Sequence, residues 1–328
     1  MNNSKIYLCF CIALVFVVLF SINIGPVEAG WSDLLSDSFE RDVLLNIRLP
    51  RLILGLIVGM ALSSCGASMQ GLFRNPLADP GLIGISSGAA LFVAIIIVIF
   101  SNLLDGITGL YILSFAAFCG AMTSAFIITL IAKRHSKIIV VFVLLCGIAI
   151  NAISGALIGL LTFFSTDDQL RTLTLWTMGS LSGANWTMVI VSASLIIPCL
   201  IILIKSSIGL NILALGEESA VHAGLDYEKL KKQIIISVSI AIGASVAVSG
   251  FIGFVGLVIP HILRQIFGPE HRRLMGCSML LGAFLLIISD LLARTIIAPA
   301  EIPVGLITAT IGGPIFLYIL IKEFRKNT

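Results

Sequence analysis

Asp290 and Arg294 stand four residues apart, acid first, within an otherwise apolar stretch. On a helix that spacing puts both side chains on one face, where they pair. The rival chemistry, a proton relay, would call for further acids at membrane depth, and the apolar stretches hold almost none. Asn151, Ser154, Ser245 and Ser249 are further polar side chains in such stretches; each either packs between helices or lines a substrate path. Gly250, Gly253 and Gly256 in GFIGFVG invite a phosphate-cradle reading, but the lysine and hydroxyl of GxxxxGK[ST] are missing. These glycines mark a break or a close approach between two apolar helices. Cys9, Cys11, Cys65, Cys119, Cys146, Cys199 and Cys277 show neither CxxC nor Cys/His spacing, so neither a metal site nor a disulfide framework is indicated. No Ser/His/Asp set or convincing carboxylate pair is present, so no catalysis and no resident cofactor are expected. Uphill movement of a solute would draw on a partner or an ion gradient.

The elements that must position these residues follow from composition. Of 328 residues 58% are hydrophobic and only 11% charged, with a mean hydropathy of +1.12; a soluble domain carries about a quarter charged residues. Apolar runs of about twenty residues recur, each long enough to cross the hydrocarbon as a helix. Runs such as LFVAIIIVIF do not alternate, which excludes a β-barrel. The fold class is therefore all-α and polytopic, one membrane domain over 1–328, with about ten spans near 6–24, 50–71, 83–101, 110–132, 138–163, 186–205, 232–250, 254–267, 275–296 and 303–322. The first run exceeds a signal-peptide core of about 7–15 residues and is read as a membrane helix.

Charge orients the bundle. With both termini inside, AKRHSK, EKLKK, GPEHRR and the tail KEFRKN all face the cytoplasm, as the positive-inside rule requires. The outward segments carry Glu28, Asp33, Asp37, Glu40, Asp42, Asp105, Asp167, Asp168 and Glu301. Arg41, Arg48, Arg51, Arg171 and Arg294 are outward exceptions that need a separate reason. Nothing in the net charge of +3 suggests a nucleic-acid partner.

Small residues recur every four positions at Gly55, Gly59, Ser63, Ala67 and Gly71, at Gly147, Asn151, Gly155 and Gly159, and at Ser237, Ala241, Ser245 and Ser249. Each stripe offers a groove to a neighbouring backbone. In RNPLADPGLIGISSGAA, Pro76 and Pro80 are expected to end the second span and shape a turn, after which small residues start the third close to its neighbours.

Three passages together, IRLPRLILGLIVGMALSSCGASMQGLFRNPLADPGLIGISSGAA, GFIGFVGLVIPHILRQIFGPEHRRLM and SDLLARTIIAPAEIPVGLITATIGGPIFL, resemble the FecCD/BtuC-type permeases, membrane subunits of ABC importers for iron chelates, haem and cobalamin. The resemblance runs from about Arg48 to Lys322. It implies a homodimer of ten-helix subunits in a bacterial inner membrane, with a translocation path at the dimer interface. Two cytoplasmic ATP-binding subunits and a periplasmic or lipid-anchored substrate-binding protein complete the importer. It further implies that Arg48, Arg51 and Arg294 dock glutamates of the binding protein; the reading from the residues alone is snorkelling of Arg48 and Arg51 to the interface. The inner loop at about 206–232 resembles the family's coupling segment, two short helices seated on the ATPase, and holds Gly216, Glu217, Glu218, His222 and Gly224. The wording looks closest to haem permeases; a ferric siderophore or cobalamin remains an alternative, as does an ion-coupled secondary transporter using Asp290 or Asn151. His135, His222, His261 and His271 are read as loop or packing residues, not haem ligands.

Overall fold

A computed structural model describes residues 3–25, 30–35, 39–104, 108–134 and 137–327. The expectations for Glu28, Asp37, Asp105 and His135 lie outside the described residues. The helices are α1 (Asn3–Asn23), α2 (Phe39–Val43), α3 (Leu49–Leu72), α4 (Ile85–Ile99), α5 (Thr108–Ala132), α6 (Val140–Phe163) and α7 (Asp167–Thr177). They continue with α8 (Trp186–Leu213), α9 (Glu217–His222), α10 (Tyr227–Ser249), α11 (Val255–Phe267), α12 (His271–Thr295) and α13 (Val304–Asn327). A π-helical turn, Leu44–Arg48, joins α2 to α3. Among the described residues seven helices are long and apolar enough to span a membrane, and the shorter apolar helices within α1, α4 and α11 complete the ten expected spans.

Helix α3 is the centre of the bundle because its small residues let backbones touch. A Cβ on Gly59 would lie 2.5 Å from the Gly282 carbonyl oxygen of α12, and one on Gly66 would collide with the Gly256 carbonyl of α11. The first stripe thus has its partner in α12, and Gly256 of GFIGFVG is a close approach as read. The same motif is also a break: α10 stops at Gly250 (φ 65°) and α11 restarts after Phe254, a non-glycine residue at φ 67°. The second stripe divides. Gly84 packs 3.1 Å from the Gly147 carbonyl, measured from an added Cβ, whereas Gly155 and Gly159 have nothing within 4 Å.

The turn after α3 is made differently from the expectation. Pro76 and Pro80 do not end the helix; it stops four residues before Pro76, at Leu72. Arg74 takes a left-handed conformation (φ 51°), and the N–H groups of Arg74 and Asn75 return to the carbonyls of Gly71 (3.3 Å) and Gln70 (3.1 Å). This is a Schellman closure with arginine where glycine is usual. Asp79 then caps a 3-10 turn, Pro80–Ile83, by accepting from the Gly81 N–H at 3.0 Å.

The loop expected at 206–232 is also shorter. Helix α8 runs on to Leu213, burying Leu210 and Leu213, and α10 begins at Tyr227 behind the Asp226 cap, so only 214–226 lies between them. Helix α7 was not anticipated; Thr166 and Gln169 start it with a reciprocal capping box. Lys133–Arg134 and Lys137–Ile138 form a short antiparallel pair, β1 and β2, between α5 and α6.

Candidate functional site

At the end that the charge bias assigns to the outside, the three arginines singled out from the sequence converge. The reason begins with α1. Its last turn leaves carbonyls without helical partners and carries the negative end of the helix dipole, so cations are favoured there. Arg48 donates to the Ile22 carbonyl at 2.5 Å, and Arg294 donates to the carbonyls of Ser21 and Ile24, each at 2.6 Å. Gly25 is needed beside them, since a Cβ there would lie 2.7 Å from the Arg48 guanidinium.

Arg51, one turn beyond Arg48, faces two acids. Its Nε donates to both oxygens of Asp290 (2.9 and 3.1 Å), and Nη1 and Nη2 donate to the two oxygens of Glu301 (2.8 and 3.0 Å). Such fork-to-carboxylate pairs are the strong, directional kind. The pairing expected between Asp290 and Arg294 is therefore secondary: those groups are 3.7 Å apart, and Arg51 takes the carboxylate. Nor do Arg48 and Arg51 snorkel, because both are buried, as is Arg294. Two acids, Asp290 and Glu301, together with the carbonyls of Ser21, Ile22 and Ile24, thus engage the three arginines inside the chain.

At the opposite end α9 forms a defined step between α8 and α10. Gly216 (φ 112°) and Gly224 (φ 83°) bracket it, both in conformations that L side chains rarely adopt. The Tyr227 hydroxyl donates to Glu217 at 2.8 Å and so pins α9 to the first turn of α10. Lys231 pairs with Glu228 at 2.6 Å and lies over the Tyr227 ring. The expected pair of short helices is one helix here, α9, and the second is the start of α10. Glu217, Glu218 and His222 border a cavity of about 720 Å³ between α9, the start of α10 and the start of α6.

The polar residues weighed as path lining are mostly engaged. Asn151 accepts from the Ser87 hydroxyl and reaches the Gly81 carbonyl at 3.4 Å, tying α6 to α4 and to the turn before it. Ser154 is buried. Ser245 and Ser249, also buried, donate to carbonyls one turn back on α10, at 2.7 and 2.8 Å, and so contribute packing. Ser249 also borders a cavity of about 160 Å³ shared with Trp176, Ser180 and Ser182. His261 and His271 are buried side chains. Sequence reasoning overlooked Glu301 as the second partner of Arg51 and Tyr227 as the tether of α9. The first had a signal, an isolated acid just beyond the helix that carries Asp290; the second had none.

Among the described residues, ten apolar helices surround a small-residue core, with an arginine cluster at one end and a short bracketed helix at the other. The chain matches the FecCD transport family over residues 13–322 and belongs to that family. It is the permease subunit of an ABC importer and a multi-span membrane protein. It is 46% identical over 323 residues to the hemin transport system permease of Yersinia pestis, a match covering 97% of this chain and 95% of the relative. It is 41% identical to the vitamin B12 import system permease of Vibrio vulnificus, over 98% of this chain and 95% of that one. A solved chain of an ABC transporter described as of metal-chelate type, in an inward-facing conformation, superposes with a TM-score of 0.87 at 31% identity, covering 97% of this chain and 99% of that chain.

Proposed function

We propose that this chain carries haem across a bacterial inner membrane into the cytoplasm, as a homodimer with both termini inside. The carrying observation is the 46% identity to the hemin permease over nearly the whole chain, against 41% for the Vibrio vulnificus vitamin B12 permease. Separate cytoplasmic ATP-binding subunits supply the energy and seat on α9 and its cavity, with Gly216, Glu217, Glu218, His222 and Gly224 forming the coupling step. A substrate-binding protein docks at Arg48, Arg51 and Arg294. The open face of α6 at Gly155 and Gly159, where small residues meet no neighbour in the single chain, supports a second copy there, with the path between the two copies. Cobalamin is the second reading, favoured by the B12 permeases among the relatives, and a ferric siderophore a further one, in keeping with the metal-chelate type of the similar solved transporter. Deleting the gene from its source bacterium tests the substrate: loss of growth on haem as sole iron source, with siderophore and cobalamin use intact, supports haem. Normal growth on haem with loss of either of the others moves the substrate.

A further inference from the structure

The two acids on Arg51 are not equivalent. Asp290 lies inside the bundle with its side chain 4% exposed, whereas the Glu301 side chain is 31% exposed. Glu301 belongs to the short connection between α12 and α13, next to Ile302, whose N–H is fixed on the Ala293 carbonyl at 2.9 Å. The main chain beside Glu301 therefore stays in place if its carboxylate leaves. What Glu301 covers is the more exposed edge of the guanidinium, with two parallel bonds of 2.8 and 3.0 Å from Nη1 and Nη2, while Nη2 also lies 2.8 Å from the buried Asp290 carboxylate. Any carboxylate approaching Arg51 from the aqueous side meets that edge already occupied by a group of its own chemistry and charge. An incoming acid has to displace Glu301, while Asp290 keeps the buried arginine neutralised from the other side throughout.

We propose that Glu301 is an intrachain stand-in for a carboxylate of the docking partner: it occupies the outer edge of Arg51 in the free permease and is exchanged for an acidic side chain of the substrate-binding protein on docking. The inference rests on the docking role proposed for the arginine cluster. The exchange makes Glu301 a competitor that lowers affinity, so that the binding protein leaves after delivery and acidic surfaces unable to displace a bidentate pair are rejected.

The test uses the complete importer in lipid nanodiscs and the purified substrate-binding protein, with the dissociation constant measured for wild type, Glu301→Gln, Glu301→Ala and Arg48→Glu. The account expects Glu301→Gln to tighten docking about fivefold, the scale on which a partly exposed charge pair competes, and Glu301→Ala to tighten it at least as much, while Arg48→Glu weakens it. Glu301→Gln and Glu301→Ala at or below wild-type affinity, with Arg48→Glu still weakening, would overturn the exchange and leave the docking site standing. No effect of Arg48→Glu would overturn the docking site and the exchange with it. Thermal midpoints of the two Glu301 variants matching wild type exclude misfolding as the source of any change.

Discussion

The Arg51 guanidinium donates to both carboxylate oxygens of Asp290, joining residues 239 positions apart in the chain and fastening α3 to α12 at one end of the bundle. Removing one partner of a buried pair leaves an uncompensated charge, which costs about 3–5 kcal/mol. Asp290→Ala is therefore expected to lower the thermal midpoint in detergent sharply. Arg51→Met combined with Asp290→Met is expected to be more stable than Asp290→Ala alone, since the buried guanidinium goes with its buried acid and the Glu301 left behind is partly exposed to water. A double variant less stable than the single one would contradict this.

Glycines at closest approach and glycines on the open face should respond oppositely to a methyl group. Gly66→Ala drives a Cβ into the Gly256 carbonyl and must push α11 off α3, an overpacking loss of about 1–3 kcal/mol or more. Gly155→Ala meets nothing within 4 Å in the single chain. It is expected to leave monomer stability unchanged, and the bulkier Gly155→Leu is expected to shift the proposed dimer towards monomer in light-scattering measurements.

The tether on α9 predicts a graded effect on energy coupling. Tyr227→Phe deletes the hydrogen bond to Glu217, a loss of about 1 kcal/mol, and should reduce transport per ATP while the dimer persists. Glu217→Lys with Glu218→Lys should abolish the coupling altogether. Unchanged transport-to-hydrolysis ratios in both variants would remove α9 from the coupling step.

Acid sensitivity should appear at the N-terminus of α12. Burial works to raise the Glu270 carboxyl, but the Asn211 amide and the N–H groups of Arg272 and Arg273 outweigh it and hold the group below its ordinary range. A depressed folded value means that the stabilisation is present above the unfolded value, about 4.3, and is lost as pH falls through the lower folded one. Wild type should lose thermal stability on acidification below about pH 4, and Glu270→Gln should lose less over the same interval.

Much of this architecture is legible in the residues themselves. Span number, the close face of α3 and the break at Gly250 follow from apolar run length, from small residues at four-residue spacing and from the clustered glycines of GFIGFVG, because all are local properties. The outer cluster was legible only in part. Arg48, Arg51 and Arg294 stood out as charges on the wrong side, but their neutralisation depends on Ser21, Ile22, Ile24, Asp290 and Glu301, brought together only by the packing of α1, α3 and α12. The nearest acid in sequence to Arg294 was Asp290, and helix spacing favoured that pair; the fold gives Asp290 to Arg51 instead. The turn after α3 misled for a related reason. Prolines at 76 and 80 are strong local signals, yet the helix is closed earlier by Arg74, whose residue type carries no such signal.

The central claim is tested most directly by uptake into proteoliposomes that hold this chain with its ATP-binding subunits, supplied with the substrate-binding protein outside and ATP inside. Haem should accumulate, its uptake should require ATP and stop with vanadate, and a ferric siderophore and cobalamin should be left behind. Uptake driven by an ion gradient through this chain alone, insensitive to vanadate, would contradict the account.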